Sequence, residues 1–259
     1  MPSKKTTNSP AVLGVIGGSG LARLANLSAA RKVPVRTPYG KPSAALVSGT
    51  IAGRKALFLA RHGDGHVFAP HEINYRANLW ALRAAKVRNV VSIATVGGIR
   101  ADLAPGTLAV PDQIIDYTWG RISTFGRAGG RGVTHIDFTH PYCDAMRLRL
   151  LAAARAAGET VVANGTYAAT QGPRLETAAE IARLERDGAD MVGMTGMPEA
   201  VLARELGLCY AAIAVVVNHA AGRGASAGGI RVEELDLVTQ RAMGRVHRIL
   251  DQLAQLDGD

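Results

Sequence analysis

Short β-branched and apolar runs alternate with helix-period segments along almost the whole 259-residue chain, and this alternation restricts the fold more than any other feature. "AVLGVIG", "KALFLA", "NVVSIATV", "GTYAAT", "DMVGMT" and "CYAAIAVVV" read as strands, and "TLAVPDQIID" as a strand running into a turn. "NYRANLWALRAAK", "PYCDAMRLRLLAAARAAG", "ETAAEIARLERDG" and "PEAVLAREL" read as helices, with Pro141 at one start and Gly158 and Gly188 closing two others. A last helix begins at about Val232. The stretch "GRISTFGRAGGRGVTHIDFTH" has no period and many glycines, which predicts a long surface loop of the kind that is usually functional or mobile.

No Pro/Gly/Ser-rich linker divides the pattern, so one domain is expected over residues 11–257, after a disordered tail at 1–10 that does not read as a secretory signal. No apolar run is long enough to span a bilayer, and a soluble, cytoplasmic protein is expected. Cys143 and Cys209 are far apart and lack C-x-x-C spacing, which predicts two reduced cysteines with neither a zinc site nor a disulfide.

The formal net charge of +9 points to an anionic partner. No residue before Asp64 is acidic, yet the basic residues there are scattered singly and without aromatic interleaving. That distribution suits a small anion better than nucleic acid or a membrane surface.

In "VLGVIGGSGLARL" a strand runs into Gly17-Gly18-Ser19-Gly20. The dinucleotide fingerprint fails for want of its last glycine and its ribose-binding acid. The P-loop fails for want of Gly-Lys-Ser/Thr, and the nucleophile elbow because position 21 is Leu. Two readings remain: a tight turn with Ser19 capping a following helix, or Ser19 and nearby amides holding an anion at that helix's N-terminus.

Other strand ends carry related chemistry. Arg61-His62 follows "KALFLA", where a guanidinium can grip phosphate and an imidazole can add a donor. His62, His66 and His71 lack metal-ligand spacing, so no metal is expected. "SIATVGGI" ends in small residues that let backbone amides approach a ligand, and Thr195 in "DMVGMTGMPEA" suits either a helix cap or a phosphate.

"GGSGL", "ARHG", "NYRANLWAL", "QGPRLET", "VGMTGMPEAVLARELGLCYA" and "AVVVNHAAG", in that order, resemble the trimeric purine nucleoside phosphorylase and methylthioadenosine phosphorylase family from about Val12 to the last helix. Within it the S-methyl-5'-thioinosine phosphorylases are the nearest group. The resemblance implies a single-domain α/β phosphorylase/hydrolase-like fold, with a central mixed β-sheet, partly barrel-like, flanked by helices. It implies phosphorolysis, with inorganic phosphate as co-substrate and no cofactor or metal. Phosphate would be bound by Ser19, Arg61, His62, Thr95 and Thr195. Val96, Gly97, Leu175, Met194, His219 and Ala220 would line the nucleoside site. His135 would reach a neighbouring subunit's 5′ pocket, which implies a homotrimer with the active site near its interface.

Phosphate attacks C1′ as the purine leaves, through an oxocarbenium-like transition state that needs no covalent nucleophile. A 6-oxopurine offers a donor at N1, an acceptor at O6 and a protonatable N7. Glu176 can accept from N1–H, while Asn218 donates to O6 and accepts from N7–H. Adenine presents an acceptor at N1 and would oppose the carboxylate. By the same resemblance "GGIRVEEL" faces the sugar's 5′ position with Ile230, Val232 and Leu235 in place of a His. Apolar side chains suit a methylthio group, worth about 1–3 kcal/mol, better than a hydroxyl.

The expected reaction is therefore phosphorolysis of S-methyl-5'-thioinosine, with Asn218, Glu176 and His62 at the reacting groups. The alternatives are an inosine/guanosine or methylthioadenosine phosphorylase, or a non-catalytic nucleotide- or phosphate-binding α/β protein. A hydrolase is disfavoured because water needs no anion cradle.

Overall fold

The computed structural model describes residues 12–21, 24–126 and 133–256; the expected tail at 1–10 lies outside them. Its strands are β1 (Val12–Gly17), β2 (Ser28–Val33), β3 (Leu46–Ile51), β4 (Arg54–Ala60), β5 (Val87–Gly98), β6 (Leu108–Ala109), β7 (Gln113–Asp116), β8 (Thr166–Ala169), β9 (Met191–Gly193) and β10 (Cys209–His219). Its α-helices are α1 (Tyr75–Ala84), α2 (Asp144–Ala156), α3 (Ala178–Arg186), α4 (Gly196–Glu205) and α5 (Val232–Leu256).

The strands form one mixed sheet ordered β2-β3-β4-β1-β5-β9-β8-β7, and β10 also pairs with β5 and carries β6. β1 runs parallel to β4 and β5, and β10 runs parallel to β5, whereas β9 meets β5 antiparallel only at Gly97 and Gly98. β5 is thus the common wall of two sheet segments, and its last residues are where they diverge. The expected mixed sheet flanked by helices is present.

The central strands are covered on both faces, which is why they read as continuous apolar runs. Alternate side chains divide between two cores. Ile16, Leu57, Leu59, Val90, Ala94 and Val96 pack with α1 and α4 through Leu79, Leu82, Ala200 and Ala203. Val15, Phe58, Val91, Ile93, Ile213 and Val215 pack with α2 and α5 through Met146, Leu150, Val246 and Leu250.

Three expectations need correction. "TLAVPDQIID" is two strands, β6 and β7, separated at Pro111, whose ring cannot donate to a ladder. Gly18–Leu21 forms a turn closed by Leu21 N–H to the Gly18 carbonyl (3.1 Å), and the next element is β2, so no described helix follows for Ser19 to cap. Cys143 and Cys209 are joined in a disulfide, with their Cα atoms 5.1 Å apart. The N-cap of α2 and the start of β10 are neighbours in the fold, tied also by Cys143 N–H to the Tyr210 carbonyl (2.8 Å), and no sequence spacing reveals that.

Candidate active site

A cleft of about 440 Å³ opens where the carboxyl ends of β1, β4, β5 and β10 converge, as expected for ligand sites in parallel sheets. Ser19, Arg61, His62, Thr95, Val96, Gly97, Leu175, Glu176, Met194, Thr195, Asn218, Ala220, Ile230 and Leu235 line it. Fourteen of the expected residues, contributed by separate strands and loops, thus share one cavity.

β5 sets the axis of the cleft. Gly18 lies against Ala94, where a Cβ would come within 2.7 Å of both Arg61 Nη1 and the Ile93 carbonyl, so this position needs glycine to let the turn approach. Three residues along, Gly97 lies beside Asn218, Val192 and Ala220. Three strand steps of 3.3 Å separate these two ends by about 10 Å. A phosphate and a purine on either side of a sugar fit that span.

At the first end Arg61 is 1% exposed and largely occupied by the protein. Nε donates to Glu199 Oε2 at 2.7 Å and Nη2 to Oε1 at 3.0 Å, while Nη1 donates to the Ile93 carbonyl at 3.0 Å and Nη2 to Ser92 Oγ. Burial opposes the guanidinium's charge, but Glu199 outweighs it and holds the pKa above its ordinary value. An Arg has five N–H donors, and four are engaged here, which leaves one on Nη1 for a ligand. Glu199 balances the Arg61 charge, so the cleft presents no net cation from this pair.

The Thr195 hydroxyl makes no cap bond to α4, although Thr195 sits at the N-cap position, and the residue is buried at the cleft wall. Of its two expected uses, capping is therefore not the one adopted. His62 Nδ1 lies 2.8 Å from the Phe68 carbonyl, which can only accept, so Nδ1 carries the proton and Nε2 keeps its lone pair. Burial, then the Arg61 charge, lowers the ring's pKa to about 4, so His62 is neutral at pH 7. The His66 ring stacks on it at 4.1 Å.

At the other end Asn218 owes its position to a bulge. β10 pairs residue for residue with β5 as far as Val216 opposite Val96, then skips Val217 and sets Asn218 opposite Gly97. Its Nδ2 donates to the His219 carbonyl at 2.7 Å, and an amide nitrogen has a second hydrogen to offer. Glu176 lies just ahead of the N-cap of α3. The capping box there is formed by Thr177 and Glu180, so Glu176 is not needed for it and instead lines the cleft.

Two expected residues do not line it: the His219 ring packs against Gly224, and His135 is exposed on the long loop. Val232 begins α5, and its side chain lies outside the described ones. Conversely, Phe68, Ala69 and Pro70 add apolar wall that sequence reasoning missed, as it missed Glu199, the buried partner of Arg61. The signal for Glu199 was available: it is the only charged residue between Asp190 and Arg204. Among the described residues no group of three or more His, Cys, Asp or Glu is arranged to hold a metal, and no helix is long and apolar enough to cross a membrane.

The model of the Phosphorylase superfamily matches residues 12–255. A probable S-methyl-5'-thioinosine phosphorylase of Xanthomonas campestris pv. campestris is 56% identical over 212 residues, covering 82% of this chain and 85% of that one. A probable 6-oxopurine nucleoside phosphorylase of Thermococcus kodakarensis is 46% identical over 215 residues, covering 81% and 80%. Among solved structures, methylthioadenosine phosphorylase from Schistosoma mansoni in complex with adenine superposes with a TM-score of 0.88 at 34% identity, over 96% of this chain and 92% of that one. The family match over residues 12–255 and the 56% identical relative show that the chain belongs to the Phosphorylase superfamily.

Proposed function

We propose that this enzyme cleaves S-methyl-5'-thioinosine with inorganic phosphate, giving hypoxanthine and 5-methylthioribose 1-phosphate. The observation that carries the reading is the cleft itself, in which Glu176 and Asn218 share a wall with Ile230 and Leu235. The first pair is the hydrogen-bond complement of a 6-oxopurine, and the second offers apolar surface to a 5′-methylthio group. The Xanthomonas relative's name agrees with both.

In this reading phosphate sits against the turn at Gly18 and Ser19, with the hydroxyls of Ser19, Thr95 and Thr195, the remaining Nη1 hydrogen of Arg61, and His62, whose Nε2 lone pair accepts from a P–OH of monohydrogen phosphate. It attacks C1′ while electrons flow into the purine. Asn218 meets the charge that collects on the base, its second amide hydrogen on O6 and its carbonyl accepting from protonated N7. Glu176 accepts from N1–H, and Met194 lies against the ribose. A homotrimer belongs to the same reading. What supports it is exposure: Phe68 and Leu175 leave apolar surface at the cleft rim, and His135 is exposed outside it.

Release of free base from S-methyl-5'-thioinosine, inosine and S-methyl-5'-thioadenosine, each with and without phosphate, tests the proposal. The expected result is phosphate-dependent release with methylthioinosine preferred. Preference for methylthioadenosine would overturn the base assignment, preference for inosine the 5′ assignment, and no release at all the enzymatic reading.

A further inference from the structure

Glu176 is held by a neighbour outside the expected substrate contacts. The Thr170 hydroxyl lies 2.6 Å from Glu176 Oε1 and 3.3 Å from the Gly193 carbonyl, which the Thr170 backbone N–H already occupies at 2.8 Å. A hydroxyl has one hydrogen to donate, and the shorter contact to a charged acceptor takes it. Thr170 itself has little freedom. It follows β8 directly, is tied to Gly193 at the end of β9, and its carbonyl accepts from Arg121 Nη2 at 3.3 Å.

We infer that Thr170 is the positioning residue that sets base specificity, fixing one Glu176 oxygen so that the other meets N1–H of a 6-oxopurine. The inference rests on the reading of Glu176 as the N1–H acceptor. A glutamate's terminal torsion is broad and roughly two-fold, so an untethered carboxylate would sample many orientations in a half-open cleft. Oε1 bonded to Thr170 defines the carboxylate plane and leaves Oε2 as the acceptor. A 6-aminopurine, which has no hydrogen on N1, gains nothing from that arrangement. The hydroxyl at 170 therefore discriminates between bases without touching either.

The test compares kcat/KM for S-methyl-5'-thioinosine and S-methyl-5'-thioadenosine in the full-length wild type and in Thr170→Val, Thr170→Ser and Glu176→Met, with dissociation constants for hypoxanthine and adenine measured by calorimetry. Valine keeps the shape of threonine and removes the donor. Thr170→Val is expected to lower the 6-oxo to 6-amino ratio about tenfold, mainly through KM for the 6-oxo substrate, and to weaken hypoxanthine but not adenine. Thr170→Ser is expected to restore the ratio to within about threefold. If Glu176→Met, which removes both acceptor oxygens, collapses the ratio while Thr170→Val leaves it within about twofold, or lowers both substrates equally, the positioning role is overturned and the Glu176 reading stands. If Glu176→Met leaves the ratio intact, the Glu176 reading fails and the positioning role fails with it.

Discussion

Arg61 and Glu199 are 138 positions apart and neutralise each other inside the protein, at 1% and 0% side-chain exposure. Glu199→Gln would leave a buried guanidinium unmatched, a loss of about 3–5 kcal/mol that urea unfolding would measure. The same substitution is expected to raise KM for phosphate more than KM for the nucleoside, since Arg61 stands at the anion end. His62 gives a second prediction. Its folded pKa of about 4 lies below the ordinary 6.5, so the unfolded chain takes up a proton that the folded ring refuses. This contribution to stability is complete above pH 6.5 and is lost as pH falls from about 6.5 to about 4. The ring's carbon resonances should stay those of neutral imidazole down to pH 5, and movement centred near 6.5 would refute the assignment. At this scale the sequence showed Arg61, His62, Ser19 and Thr195 because each ends a strand or turn. Glu199 was marked only as the one charge in an apolar stretch, which does not name the cation it must match.

Arg121, near the start of the long stretch after β7, ties that stretch to the cleft segments. Arg121 Nη1 donates to the Met194 and Met197 carbonyls at 2.7 Å each, and Nη2 to the Gln171 carbonyl at 2.7 Å. The guanidinium thus ties together the segments that follow β8 and β9, which carry Glu176, Met194 and Thr195 into the cleft. Arg121→Met would remove the donor from four carbonyls, those of Thr170, Gln171, Met194 and Met197, and loosen both segments. KM for the nucleoside is expected to rise about tenfold or more, because small misplacements of positioning groups are costly. Stable, unchanged kinetics would show that the stretch is only a tether. Absence of periodicity marked 120–126 and 133–140 correctly as free of helix and strand, residues 127–132 of the expected loop lying outside the described residues, but the hydrogen-bonding role was invisible, since carbonyl acceptors look the same in every residue. The hairpin pair β2 and β3 was missed for a related reason. β2 is almost wholly exposed, so "SAARKV" carries no apolar alternation to read.

Across the whole molecule, the Cys143–Cys209 bond closes a loop of 66 residues between α2 and β10. On the chain-entropy account a loop of that size stabilises the fold by about 4 kcal/mol. Reduction, or Cys143→Ala with Cys209→Ala, is expected to lower the Tm by several degrees while leaving base specificity unchanged, since neither cysteine lines the cleft. Scanning calorimetry with and without reductant checks the first point, and the nucleoside panel the second. The sequence by itself determined the α/β order, the central strands and most of the residues that meet in the cleft. Those properties depend on neighbours a few positions away, through a side-chain period of 2 or 3.6 and the chemistry left at a strand's end. Only the tertiary structure decided which groups are partnered: Arg61 with Glu199, Cys143 with Cys209, Glu176 with Thr170, and Asn218 with Gly97 through a bulge. Such pairings follow from how the sheet closes and where the loops return, and no residue carries in its own neighbourhood the identity of a partner brought to it by folding.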